Sequence, residues 1–293
     1  MLIAEPAPAP TERRPRLVEI DRLPRSILIG GGLVLVVVLV AILGDLLAPF
    51  PYDQQHYLDT NLPPGGPYRF GTDEYGRDVF SRVLVGSRVS LAYGVGASVL
   101  SLSIGVPLGL WAGYKGGRVD EVLMRVLDLM MSIPPLLLGL LVLAVTPPAL
   151  WKTILAIAVI TAPSAARIVR SVALGLKGEE FVQAAQARGE SERYTVFREI
   201  LPNAWPAIIV EAGLRVTFGI LLGAALSFLG LGAQPPSSDW GLMISEGRAS
   251  VTIAPWVSIF PGLAMLVTVI GFNLLGGGLR DALDPRIARD YLH

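Results

Sequence analysis

The 293-residue sequence has no cysteine and only two histidines, His56 and His293. The first absence excludes disulfides and thiolate metal sites, and the second excludes an imidazole cluster. Charge is scarce as well. Charged residues make up 16% of the chain and cancel to a net charge of zero, which gives no reason to expect a nucleic-acid partner. Lysine occurs only at Lys115, Lys152 and Lys177, after Tyr114, Trp151 and Leu176. A P-loop needs Gly-Lys followed by Ser or Thr, because the lysine neutralises phosphate and the hydroxyl holds magnesium. None of the three lysines fits, so ATP hydrolysis, if it drives this protein, comes from another subunit.

What the chain does have is apolar length. Hydrophobic residues make up 52% of it, with 32 glycines. Uncharged runs extend from Ser26 to Gly44, Val89 to Tyr114, Leu129 to Trp151, Val216 to Ser238 and Ala249 to Leu279. Each can hold the roughly 20 residues that cross a bilayer as a helix. A shorter run, Thr153 to Ala166, becomes long enough if Lys152 and Arg167 snorkel to opposite interfaces with Trp151 as an outer anchor. The pattern predicts an all-α integral membrane protein of six transmembrane helices.

Orientation follows from the basic residues. With both ends cytoplasmic, the tail, two inner loops and C-terminus hold 17 of the 24 Arg and Lys residues. The outer segments hold Arg69, Arg77, Arg82, Arg88, Lys152 and Arg248, while Arg215 lies within the fifth span. The positive-inside rule therefore places both termini in the cytoplasm. Residues 1–25 read as a flexible tail, 26–48 as the first span and 49–87 as an extracytoplasmic loop. Residues 88–279 read as a five-helix core with a cytoplasmic loop at 177–206, and 280–293 as a second tail. Acidic residues ahead of the first apolar run argue for an uncleaved signal anchor.

Within the spans, Ala97, Ser101, Gly105, Gly109 and Gly113 recur every four residues, a small-residue stripe that lets another helix approach closely. Gly219, Gly223 and Ser227 repeat the arrangement. Pro107 and Pro134 are expected to kink their helices or to act as hinges. Glu211 and Arg215 stand one turn apart near the inner end of the fifth span, as a mutual pair or a substrate site. Asn273 in the last span either lines a pathway or bonds a neighbouring helix.

The most distinctive stretch is polar: EFVQAAQARGESERYTVFREILPNAWP, from Glu180 to Pro206. Phe181, Ala184 and Ala185 share one helical face, and Tyr194, Phe197 and Leu201 share another on a second short helix. Gly189 is placed to end the first helix in a left-handed conformation and Pro202 to close the second. At these residues the chain resembles the cytoplasmic loop of bacterial ABC importer permeases, whose pattern is Glu-Ala-Ala, three residues, Gly, nine residues, Ile-x-Leu-Pro. Ala184, Ala185, Gly189, Leu201 and Pro202 fall in register. Gln183 stands where the pattern has Glu, and Glu199 where it has Ile.

Two further stretches resemble the dipeptide and oligopeptide branch of that family. They are FGTDEYGRDVFSRVLVGSRVSL, from Phe70 to Leu91, and the run from Gly230 through QPPSSDWGLMISEGR to Arg286. The resemblance is to the second, C-type permease of the pair. It implies a channel paired with a homologous second permease, two cytosolic ATPases carrying ATP and Mg, and an extracytoplasmic solute-binding protein. Relatives carry dipeptides, oligopeptides, nickel or glutathione. It also implies ATPase coupling at Phe181, Ala184, Ala185, Gly189, Leu201 and Pro202. For Asp73, Arg77, Asp78 and Trp240, it leaves open binding-protein docking or a structural role in the outer segment. A secondary transporter and a membrane scaffold are the rival readings; the almost charge-free spans oppose the first, and the two-helix loop opposes the second.

Overall fold

The computed structural model describes residues 24–283, and all of its regular secondary structure is helical. The expected tails at 1–23 and 284–293 lie outside the described residues. Helix α1 spans Arg25–Leu47. Helix α2, Val79–Leu91, runs through a π-helical turn at Ala92–Gly96 into α3, Ala97–Lys115. Then come α4 (Gly117–Met131), α5 (Pro135–Ala144), α6 (Leu150–Leu176) and the short α7 (Glu180–Ala187). Helix α8 (Glu192–Tyr194) passes through a π segment at Thr195–Ile200 into α9 (Leu201–Phe228). The short α10 (Trp240–Gly247) and the long α11 (Trp256–Leu283) complete the bundle.

Five of these helical runs are long and apolar enough to cross a membrane, or six if the bent pair α4 and α5 is one span. That pair bends by 81°. The uncharged run from Leu129 to Trp151 is therefore not the straight span expected. Pro134 lacks an N–H and pushes Ile133 out of the α region, so the helix breaks there. The ten-residue α5 rises only about 15 Å, half of a bilayer core.

Three other boundaries move for electrostatic or conformational reasons. The second span starts at Val79 rather than Val89, because the Asp78 side chain caps it and the two arginines that interrupt the run, Arg82 and Arg88, are paired with distant carboxylates. The fifth starts at Leu201 and ends at Phe228, short of Ser238, where Gly230 takes a φ of 80°. The last starts at Trp256, after the turn at Ser250–Ala254. Pro202 does not close a helix. It occupies the first turn of α9, where the missing N–H costs nothing, and the helical path continues through it.

The small-residue stripe packs as its spacing predicts. A Cβ on Gly105 would lie 2.5 Å from Ala165 Cβ, and one on Gly109 would lie 2.4 Å from the Ala166 carbonyl. Helix α3 therefore meets α6 backbone to backbone, with van der Waals contact replacing the hydrophobic drive that lipid cannot supply. At the far end of α9, Gly223 leaves room for the Tyr93 ring, whose hydroxyl is 3.0 Å from Ser227 Oγ and accepts from the Ala233 N–H. These contacts hold α9 across the middle of the bundle and fix which surfaces stand at its two ends.

Candidate functional sites at the two ends of the bundle

At one end lies the polar loop. Gly189 has a φ of 77°, the left-handed conformation expected of it, and its N–H bonds the Gln186 carbonyl. Helix α7 buries Val182 and Ala185, with Phe181 packed beside Val196 and Ile200. Ala184 faces outward. On the second segment Thr195, Val196 and Ile200 point inward, so Tyr194 and Phe197 are exposed and Leu201 is half-buried. The apolar face read from sequence on this segment is thus its solvent face. Polar ties anchor the loop to the bundle: Lys115 Nζ donates to Glu192 at 2.5 Å, and Gln186 to the Tyr114 hydroxyl at 3.4 Å. Glu199, the departure from the pattern, takes Arg188 at 3.2 Å. The result is a ledge packed on the bundle that presents Ala184, Tyr194 and Phe197.

The opposite end is a buried ionic clasp. Asp73 accepts from the backbone N–H groups of Tyr75 and Arg77 at 2.9 Å each. Its other oxygen receives Arg77 Nε at 2.6 Å and an Arg82 guanidinium nitrogen at 2.5 Å. Both arginines also reach Glu246 on α10 at 2.9 Å. Arg82 additionally donates to the Ser237 carbonyl at 3.1 Å. Two acids and two bases thus alternate around one knot joining residues 71–82 to α10. Gly76, at φ 71°, turns the chain against the His56 carbonyl, where a Cβ would meet it at 1.9 Å.

Asp78 and Trp240 serve the same join. Asp78 accepts from the Ser81 N–H and hydroxyl at 2.8 and 2.6 Å, capping α2. The Trp240 indole donates to the Val83 carbonyl at 3.0 Å. Asp239 caps α10 by accepting from Gly241 and Leu242, and burial pushes its carboxyl above the usual carboxylate range. Nearby, the hydrogen bond to Asp59 pushes the Tyr68 phenol up to about 12. Asp73, Arg77, Asp78 and Trp240 are each at most 3% exposed. Their side chains are buried in the contacts that hold this end of the bundle together.

Between the ends, Arg215 pairs with Glu211 at 2.6 Å, as their spacing predicts. Sequence reading missed the remaining partners: Arg215 also donates to the Thr161 carbonyl at 2.6 Å and to the Ser164 and Ser101 hydroxyls at 3.1 and 3.4 Å. The pair sits halfway along α9 rather than near its end. Asn273 is exposed on α11 and bonds no neighbouring helix among the described residues.

Residues 105–289 match the family described as the binding-protein-dependent transport system inner membrane component. The chain belongs to this family. Residues 25–64 match the N-terminal TM domain of oligopeptide transport permease C, which accounts for α1. A glutathione transport system permease, GsiD of Pectobacterium atrosepticum, is 40% identical over 269 residues, covering 90% of this chain and 89% of its own. A dipeptide transport system permease, DppC of Alkalihalophilus pseudofirmus, is 41% identical over 258 residues, covering 87% and 85%. GsiD of Escherichia coli O6:K15:H31 is 45% identical over 257 residues, covering 87% and 84%. Among solved structures, the MetNI methionine ABC transporter in inward-facing conformations aligns with a TM-score of 0.58 at 18% identity, over 69% of this chain and 96% of that one. The fold is thus that of ABC importer permeases, and the protein is a multi-pass component of the bacterial inner membrane.

For a membrane permease the residues missed from sequence are informative. Arg82 and Glu246 complete the clasp, and Ser101, Thr161 and Ser164 complete the mid-span network. The available signal for Arg82 was its position a helical turn after the Asp78 cap, which made it helical; its partners come from far along the chain.

Proposed function

We propose that this chain is the channel-forming permease subunit of an ATP-driven importer that moves peptides or a related small solute into the cytoplasm. Its partners in this reading are a homologous second permease, two cytosolic ATPases that bind ATP and Mg, and an extracytoplasmic solute-binding protein. The positive-inside count puts the 177–206 loop and both termini in the cytoplasm. One observation carries the reading: a membrane bundle without a P-loop displays a two-helix ledge packed on its end, with Tyr194 38% and Phe197 44% exposed. Exposed aromatic side chains on a fixed scaffold are the usual anchors of a protein contact. The relatives named for glutathione and dipeptide transport support cargo of that chemistry, small and bearing both an ammonium and a carboxylate.

Solubilising native membranes in mild detergent and purifying a tagged form of the chain tests the proposal. An ATP-hydrolysing protein should come with it at about one ATPase per permease chain. Recovery of the permease pair with no nucleotide-binding subunit overturns the reading.

A further inference from the structure

An ion inside a membrane span is costly, so it is kept for packing or for a ligand. Arg215 is committed to packing: its guanidinium ties α9 to α6 and α3 through Thr161, Ser164 and Ser101. Glu211 is placed differently. It gives Oε1 to Arg215, and no second partner engages its other oxygen among the described residues. Glu211 is one of the residues lining a cavity of about 590 Å³ between α6, α9 and α11. Ile168, Val210 and Leu214 make the apolar part of the wall, and Arg280 on α11 also lines it. The volume falls within the roughly 300–1,000 Å³ of small-ligand pockets.

Glu211 and Arg280 bring opposite charges to one otherwise largely apolar lining. We infer that the cavity is a cargo site on the importer's path that reads a zwitterion, Glu211 receiving an ammonium on its open oxygen and Arg280 receiving a carboxylate. A carboxylate has lone pairs for both Arg215 and a second cation. The apolar walls lower the local dielectric and strengthen both contacts relative to water. The inference rests on the importer reading above and adds to it the residues that read the two ends of the cargo.

The test uses the assembled complex in nanodiscs, without binding protein or nucleotide, and measures binding of L-alanyl-L-alanine, its N-acetyl form and its C-terminal amide. Each blocking group removes one charge-assisted contact, so each should weaken binding to the unmodified complex about tenfold or more. Glu211→Gln should abolish the N-acetyl penalty and leave the amide penalty; Arg280→Gln should do the reverse. If Glu211→Gln fails to assemble, Glu211→Asp keeps the charge and should retain the N-acetyl penalty, while Arg280→Gln lies at an exposed helix end and tests the other contact. An N-acetyl penalty unchanged in Glu211→Gln, or an amide penalty unchanged in Arg280→Gln, overturns the site. So does an unmodified complex that binds no dipeptide. Peptide uptake by that same complex with binding protein and ATP would then show the importer reading standing without the site, and its absence would remove both.

Discussion

Arg82→Met is expected to cost about 3–5 kcal/mol of stability, the loss that follows when one partner of a buried ion pair is removed and the other charge stays behind. The Arg82 side chain is fully buried, and it is the cation that touches Asp73, Glu246 and the Ser237 carbonyl together. Without it, two carboxylates face a single Arg77. The half-buried Ser237 carbonyl, just ahead of α10, loses its donor. Arg77→Met should cost less, because the Arg77 backbone N–H still bonds Asp73 and Arg82 still bridges both acids. The comparison is made by thermal unfolding of the purified full-length protein in detergent. Adding Glu246→Gln to Arg82→Met should recover part of the loss, because the stranded charge is then gone. Equal unfolding temperatures for Arg82→Met and the unmodified protein would mean that the clasp contributes nothing.

The second large effect is expected at the opposite end. Phe197→Asp should lower ATPase recovery with the tagged chain by at least about tenfold, because replacing an aromatic interface anchor by a desolvated charge costs more than the 2 kcal/mol typical of hot spots. Phe197 is 44% exposed, so the fold itself loses little. Gly189→Leu separates presentation from contact. A Cβ there meets nothing within 4 Å, yet the φ of 77° strains any L side chain by on the order of 1 kcal/mol. That is too small to unfold the bundle but enough to tilt α7. Its expected outcome is normal membrane insertion with reduced ATPase recovery and reduced transport. Wild-type recovery in both variants would place the ATPase contact elsewhere.

Much of this arrangement was legible in the sequence because it depends on local spacing. The four-residue repeat from Ala97 to Gly113 specifies a close helix contact without saying which helix answers, and the structure supplies α6. Gly189 was legible for the same reason: a glycine after an amphipathic turn marks a left-handed stop. What escaped was set by distant charge. Arg88 reads as the end of an uncharged run until Asp45 on α1 pairs with it, and Arg82, earlier on the same helix, is neutralised by Asp73 and by Glu246, which lies far along the chain. Glu211 and Arg215 likewise seemed to bar the start of a span, although they neutralise each other inside it. Charge runs bound a span only when the charges are unpaired.

Direction hid in a similar way on the second segment of the loop. Tyr194, Phe197 and Leu201 have helical spacing, and so do Val196, Ile200 and Ala204, which the bundle buries instead. Periodicity identified two faces but not which one packs. Burial decides it, and leaves the aromatic face free for a partner.

The most direct test of the account is uptake by the purified complex in sealed vesicles, with ATP and Mg supplied on one face and cargo-loaded binding protein on the other. Dipeptide should accumulate on the nucleotide side, ATP hydrolysis should rise when the binding protein is added to the opposite face, and Phe197→Asp should abolish both responses. Accumulation driven by an ion gradient without ATP, or uptake that persists when the ATPase subunits are removed, would contradict the account.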